Sequence, residues 1–250
     1  MRFWHSEAKK KMAGSENEKE IELHSRAAIE RDTSVRAFNI ARSTITRLEK
    51  RIAVLEAQLA EARCELENLR LKPPALQPVQ LDPRTTALLV LDLTRRCDDP
   101  RLPCHKLVPR VAQFTRDARD AGVFVAFTII NGQKGRPEGA LPEIFERRPE
   151  EPIFYTDSYS KFQGTELNDT LRERGIKTLV LIGSAANFAC LYTATEAAQH
   201  FGYEVVVPSD GVVSWTEYEH DYALFQLSVL PGGTSRNFRF TELSLIAFSQ

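Results

Sequence analysis

Five short apolar runs separated by helical patterns constrain this chain more than any other feature. "TTALLVLDL" (85–93), "GVFVAFTII" (122–130), "PIFYT" (152–156), "IKTLVLIG" (176–183) and "YEVVVPSDG" (203–211) are dominated by β-branched residues, leucine and aromatics, with apolar residues facing both ways along an extended chain. Between them, at 106–120, 163–174, 189–200 and 217–229, apolar residues recur at helical spacing. A strand that is apolar on both faces needs cover on both, and parallel strands need helical crossovers to join them. The expected fold class is α/β, a doubly wound parallel sheet with helices on both faces, over residues 85–250.

The preceding part of the chain follows other rules. Residues 1–35 are polar, mixed in charge and without period, which predicts a disordered or frayed N-terminus. Over 36–72 apolar residues at Phe38, Ala41, Ile45, Leu48, Ile52, Leu55, Leu59, Ala62, Leu66 and Leu69 alternate steps of three and four, the seam of a coiled-coil helix. Isoleucine at the a positions (Ile45, Ile52) with leucine at d (Leu48, Leu55) favours a parallel pair, and Arg51 would face Glu56, and Glu65 Arg70, across it. A single amphipathic helix packed on its own domain would show the same stripe. Four prolines in "KPPALQPVQLDP" end the helix and make 73–84 a stiff linker.

Charge narrows the function classes. With 33 basic and 34 acidic residues the chain has no basic field to draw it to nucleic acid or an acidic membrane surface. Its apolar runs fall short of the roughly 18 residues of a membrane span, and no secretory h-region opens it. The expected partners are a small-molecule substrate and further copies of the chain, as a homo-oligomer, a dimer through the coiled coil. Cys64, Cys97, Cys104 and Cys190 form no Cys-x-x-Cys or zinc pattern, which fits reduced thiols and a cytoplasmic setting. His105, His200 and His220 lack a ligand spacing, and neither G-x-G-x-x-G nor a P-loop occurs, so neither metal nor cofactor is expected.

In a doubly wound sheet, ligands bind at the carboxyl ends of the strands. That directs attention to Asp92 and Arg95–Arg96 after the first strand, to Tyr155–Phe162, and to the turn Gly183–Cys190. "ALLVLDL", "YSKFQGTELNDTLRERGIKTLVLIG", "GSAANFACLYTATEAAQHFGYEVVVPSDG" and "EYEHDYAL" together resemble the isochorismatase-like hydrolases over nearly all of 85–245. In the cysteine-hydrolase branch of that family an Asp, a Lys and a Cys make the site. The resemblance implies that Asp92 is the acid/base and that the turn around Ala186, Asn187 and Ala189 binds an oxyanion.

Two positions depart from that pattern. The family cysteine falls six residues after the glycine ending the strand, which is Ala189 here, and Cys190 occupies the next position. One helical step turns a side chain by about 100°, so packing is the bland reading for Cys190, with a catalytic role as the alternative. The family lysine falls six residues before the phenylalanine of "Y-S-x-F", which is Thr156, and Lys161 is the nearby lysine that would take its place. Isochorismatases proper have a glycine at the nucleophile position and need no thiol, and some uncharacterised relatives read "D-K-F" with no cysteine. The expectation is a hydrolase acting on a small amide or related carbonyl or enol-ether metabolite through Asp92 and Lys161, with or without Cys190. The alternative is an inactive member that binds a metabolite or protein partner and oligomerises through its coiled coil.

Overall fold

The computed structural model of the chain describes residues 3–69 and 71–249. It divides into two units, Met1–Arg70 and Leu71–Gln250. The first is one helix, α1 (Phe3–Leu69). It begins far ahead of the heptad seam, so residues 3–35, expected to lack order, are helical. That stretch holds no proline, one glycine and many Glu, Lys and Ala, so propensity favours a helix where the lack of an apolar period had suggested none. Described by itself, the helix leaves Ile45, Leu48, Ile52 and Leu55 exposed. Arg70, expected to face Glu65, lies outside the described residues, as do residues 1–2 and 250.

The second unit contains β1 (Val79–Leu81), β2 (Thr86–Leu91), α2 (Leu107–Asp120), β3 (Phe124–Ile129), β4 (Ile153–Tyr155), α3 (Leu167–Glu173), β5 (Thr178–Ser184), α4 (Leu191–Gln199), β6 (Glu204–Pro208), β7 (Val212–Val213), α5 (Glu217–Ser228), β8 (Phe238–Thr241) and β9 (Ile246–Phe248). The main sheet runs β4-β3-β2-β5-β6-β8, with β7 pairing the end of β5, and its pairings are parallel. Strand β2 shows why its run is continuously apolar. Ala87, Leu89 and Leu91 join one core with Leu167 and Leu171 of α3, Ala194 and Ala197 of α4 and Leu224 of α5, whereas Leu88 and Val90 join a second core with Val111 and Ala112 of α2. Helices thus cover both faces, as the alternation of strand and helix requires.

Two elements differ from the sequence reading of the linker and the cysteines. Part of the segment read as a linker is strand: β1 pairs in parallel with β9, and Val79 and Leu81 are buried. Cys97 and Cys104 form a disulfide, their Cα atoms brought to 5.3 Å by the turns between them. Four reduced thiols are therefore not what the structure contains, which removes the cysteine part of the argument for a cytoplasmic setting. A buried ion pair ties α2 to the loop before β4: Arg119 Nε and Nη2 donate to the two Glu151 carboxylate oxygens at 2.5 and 2.9 Å.

Chain order reverses between β2 and β5. The chain leaves β2 toward β3 and β4, then returns to add β5 on β2's other side. A crevice opens beyond the carboxyl ends at such a switch point, and the residues that follow β2 and β5 form its floor.

Candidate functional site

Asp92 follows β2 directly and adopts φ 55°, a left-handed conformation that costs a non-glycine residue energy and concentrates at functional positions. Its N–H donates to Thr128 O of β3 at 3.0 Å, so the backbone stays tied to the sheet while the side chain turns into the crevice. There Oδ2 lies 2.7 Å from Lys161 Nζ, and Thr128 Oγ1 lies 3.5 Å from Oδ1. The Lys161 side chain is 1% exposed and that of Asp92 11%. Burial raises the Asp92 carboxyl above the usual carboxylate value, opposed by the charge and hydrogen bond of Lys161 and by Thr128.

Lys161 is held from behind. Its N–H donates to Thr193 Oγ1 of α4 at 3.0 Å, and Nζ lies 3.5 Å from Ser158 O. Thr156, at the position where the resemblance calls for lysine, has a local task instead. Its hydroxyl donates to Gln163 O at 2.7 Å and accepts from Ser158 N–H at 3.1 Å, which closes the loop that presents Lys161.

The second wall comes from β5. Gly183 has φ +140°, and a Cβ there would stand 2.1 Å from Leu91 O, so close approach of β2 and β5 at the crevice floor requires glycine. Beyond it Ala186–Cys190 form a turn of π-helix leading into α4. Ala189 lines the pocket with Asp92 and Lys161. Cys190 does not. Its side chain packs in the core of α3, α4 and α5, it is 3% exposed, and burial together with the negative charge of Asp92 pushes its thiol well above the ordinary value. One residue's rotation along the turn puts Ala189 on the pocket wall and packs the Cys190 side chain in the core, so the structure does not bring Cys190 into the pocket with Asp92 and Lys161.

The expected oxyanion amides are only partly open. Asn187 N–H donates to Ser214 Oγ at 3.2 Å, whose own hydroxyl donates to Asn187 Oδ1 at 2.8 Å. The N–H groups of Phe188 and Cys190 both donate to Ala185 O, at 3.1 and 3.2 Å. The Asn187 side chain therefore ties the turn to the segment after β7 instead of facing a ligand. Ala186 and Ala189 are both buried, and of the two Ala189 lines the pocket.

The pocket has a volume of about 270 Å³. Besides Asp92, Lys161 and Ala189, its lining includes Thr94, Arg96, Tyr159, Phe188 and Trp215, together with the Cys97–Cys104 disulfide. Tyr159 stacks on Phe188 and Tyr192 with centroids at 5.3 and 5.6 Å. Asp157 accepts from Gly132 N–H at 3.0 Å and thereby caps the turn after β3. Among the described residues no group of three or more His, Cys, Asp or Glu side chains is placed to hold a metal. His105 and His220 instead bond backbone carbonyls, of Cys97 and Ser209, each at 2.9 Å. The stack, the disulfide and the Thr193 and Ser214 supports were not read from the sequence. Each joins residues remote in sequence or, for the disulfide, depends on turns with no distinctive pattern.

Known proteins share this architecture. An isochorismatase family protein from Burkholderia thailandensis superposes with TM-score 0.58 at 25% identity, over 68% of this chain and 97% of that one. The nicotinamidase SaPncA from Staphylococcus aureus superposes with TM-score 0.55 at 23% identity, over 63% and 98%, a likeness of fold alone. In sequence, an uncharacterized isochorismatase family protein of Bacillus subtilis, PncA, is 34% identical over 99 residues, 38% of this chain and 54% of that protein. The chain thus spans about half the length of that relative. The ureidoacrylate amidohydrolase RutB of Methylobacterium radiotolerans is 25% identical over 183 residues, 55% of this chain and 70% of that protein. Residues 86–235, more than half of the chain, match the Isochorismatase domain model, and together with a parallel sheet whose switch point carries Asp92 they establish that this chain belongs to the isochorismatase family.

Proposed function

We propose that the chain hydrolyses a small amide, or a related carbonyl or enol-ether metabolite, by water activated at Asp92 and Lys161, without a covalent cysteine intermediate. The observation that supports this reading is the 2.7 Å contact between Lys161 Nζ and Asp92 Oδ2 in a pocket also lined by Ala189, the residue to which the resemblance assigns the nucleophile position. The names of two relatives, a ureidoacrylate amidohydrolase and a nicotinamidase of Arabidopsis thaliana, support the amide class.

In this mechanism Asp92 takes a proton from water as the oxygen attacks the carbonyl carbon and returns it to the leaving nitrogen. A carboxyl held above its usual value is suited to both halves of that transfer, because its proton affinity lies closer to the working pH. Lys161 keeps the carboxylate ionised before attack and offsets the negative charge that develops on the carbonyl oxygen, assisted by the Ala189 amide. The small Ala189 side chain leaves room for the water. With an enol ether the carboxyl, in its protonated form, delivers its proton to carbon, water adds to the resulting oxocarbenium ion and gives a proton back to the carboxylate, and the hemiketal collapses to a carbonyl compound and the leaving alcohol.

The test is a screen of amides, ureido acids and enol ethers by product release, with Asp92→Asn, Lys161→Ala and Cys190→Ser alongside the parent chain. Loss of turnover in the first two and its survival in the third is the expected pattern. Loss with Cys190→Ser, in a variant that remains folded, refutes the reading.

We further propose that α1 pairs two chains in parallel, which the heptad of Ile45, Leu48, Ile52 and Leu55 and their exposure support. Light scattering of Ile52→Lys in the full chain should give half the parent mass, and an unchanged mass would exclude this pairing.

A further inference from the structure

The formal charges lining the pocket balance, Asp92 and Asp157 against Lys161 and Arg96, but they are partnered differently. Asp92 and Lys161 neutralise each other at 2.7 Å. Arg95 lies 3.4 Å from Asp98, and Asp157 accepts from Gly132 N–H at 3.0 Å. Arg96, which lines the same pocket, has no carboxylate within ion-pair distance among the described residues. Its backbone is fixed nonetheless. It sits in the 3-10 turn Arg95–Asp98, Asp99 N–H donates to its carbonyl at 3.2 Å, and the next residue, Cys97, is buried and cross-linked to Cys104. The charge is thus mounted on a clamped loop at the wall of a cavity of about 270 Å³. The same cavity is lined by the exposed rings of Tyr159, Phe188 and Trp215.

We propose that Arg96 is the anion anchor of this site, so that the substrate is a small planar molecule bearing a carboxylate. The proposal deepens the hydrolase reading above and rests on it. A guanidinium fork matches a carboxylate with two parallel N–H···O bonds, and a turn fixed in advance lowers the entropy cost of making them. The aromatic wall accepts the flat face of a ring or conjugated chain. A cavity of about 270 Å³ lies at the small end of ligand sites and admits one ring with its substituents. With the carboxylate on Arg96, the scissile group is presented to Asp92 and Lys161.

The experiment measures binding of benzoate and of its neutral counterpart benzamide to the full chain by calorimetry, for the parent and for Arg96→Gln. Arg96 is exposed, so the variant should melt as the parent does. The parent should bind benzoate at least tenfold more tightly than benzamide. Arg96→Gln should weaken benzoate about tenfold, the scale of a charge-assisted pair, and leave benzamide unchanged. Equal affinity of the parent for the two probes, no binding of either at millimolar concentration, or benzoate binding indifferent to Arg96→Gln would each overturn the proposal. If it falls while Asp92→Asn still abolishes turnover, the anchor is wrong and the hydrolase reading stands. If benzoate binds through Arg96 and Asp92→Asn turns over normally, the hydrolase reading fails and the anchor survives.

Discussion

Replacing Lys161 by methionine leaves Asp92 as a buried carboxylate without its cation, and the structure gives the size of the effect. At 2.7 Å and an effective dielectric of about 20, the pair attracts by about 6 kcal/mol, most of which offsets the cost of taking both charges out of water. Removing one partner of such a pair destabilises by about 3–5 kcal/mol, because the other charge stays buried. Among the described side chains, Thr128, with Oγ1 at 3.5 Å, is the hydrogen-bond partner that would remain beside the Asp92 carboxylate. The deficit should depend on pH, and its sign follows from linkage. In the folded variant the Asp92 carboxyl is raised further, since Lys161 was the partner opposing desolvation, while in the unfolded chain it titrates near about 3.9. Between those two values the folded state holds more protons than the unfolded one, so stability falls as pH rises. The variant should unfold in urea at a much lower midpoint than the parent at pH 8, by about 3 kcal/mol, and by no more than about 1 kcal/mol at pH 4.5. Adding Asp92→Asn should recover more than half of the loss at pH 8. A deficit of equal size at both pH values, or none at either, would refute this account of the pair.

Other perturbations address separate parts of the structure. Glu151→Gln should cost about 3 kcal/mol in urea unfolding, because the Arg119 guanidinium, bonded to both carboxylate oxygens, keeps its charge in a buried place and loses its counterion. Cys190 should react with iodoacetamide only on the timescale of global unfolding when the other three cysteines are replaced, since its thiol is buried and its proton is held tightly. Fast labelling below about pH 8.5 would mean that the thiolate is activated and reaches the pocket.

The sequence made some parts of this molecule plain for physical reasons. Strands β2, β3, β5 and β6 announced themselves because a strand covered on both faces must be apolar throughout, and their carboxyl ends located Asp92 and the Gly183 turn before any contact was known. The one-residue offset between Ala189 and Cys190 was countable from Gly183, and a helical turn converts that count into opposite directions. What depends on distant partners was not countable. Strand β1 is three residues long and pairs with β9 at the other end of the unit, and Thr193 supports Lys161 from a different helix. The cross-link between Cys97 and Cys104 depends on turns that bring the two close, and seven residues of separation alone do not reveal it. Residues 3–35 misled in the other direction, since lack of an apolar stripe argues against packing but not against a helix of good helix formers.

The most direct test of water activation at Asp92 and Lys161 is the intact mass of the enzyme quenched during turnover of whichever substrate the screen identifies. Attack by water predicts a protein of unmodified mass at every time point. An adduct of the mass of the acyl group, mapped to Cys190, would contradict it.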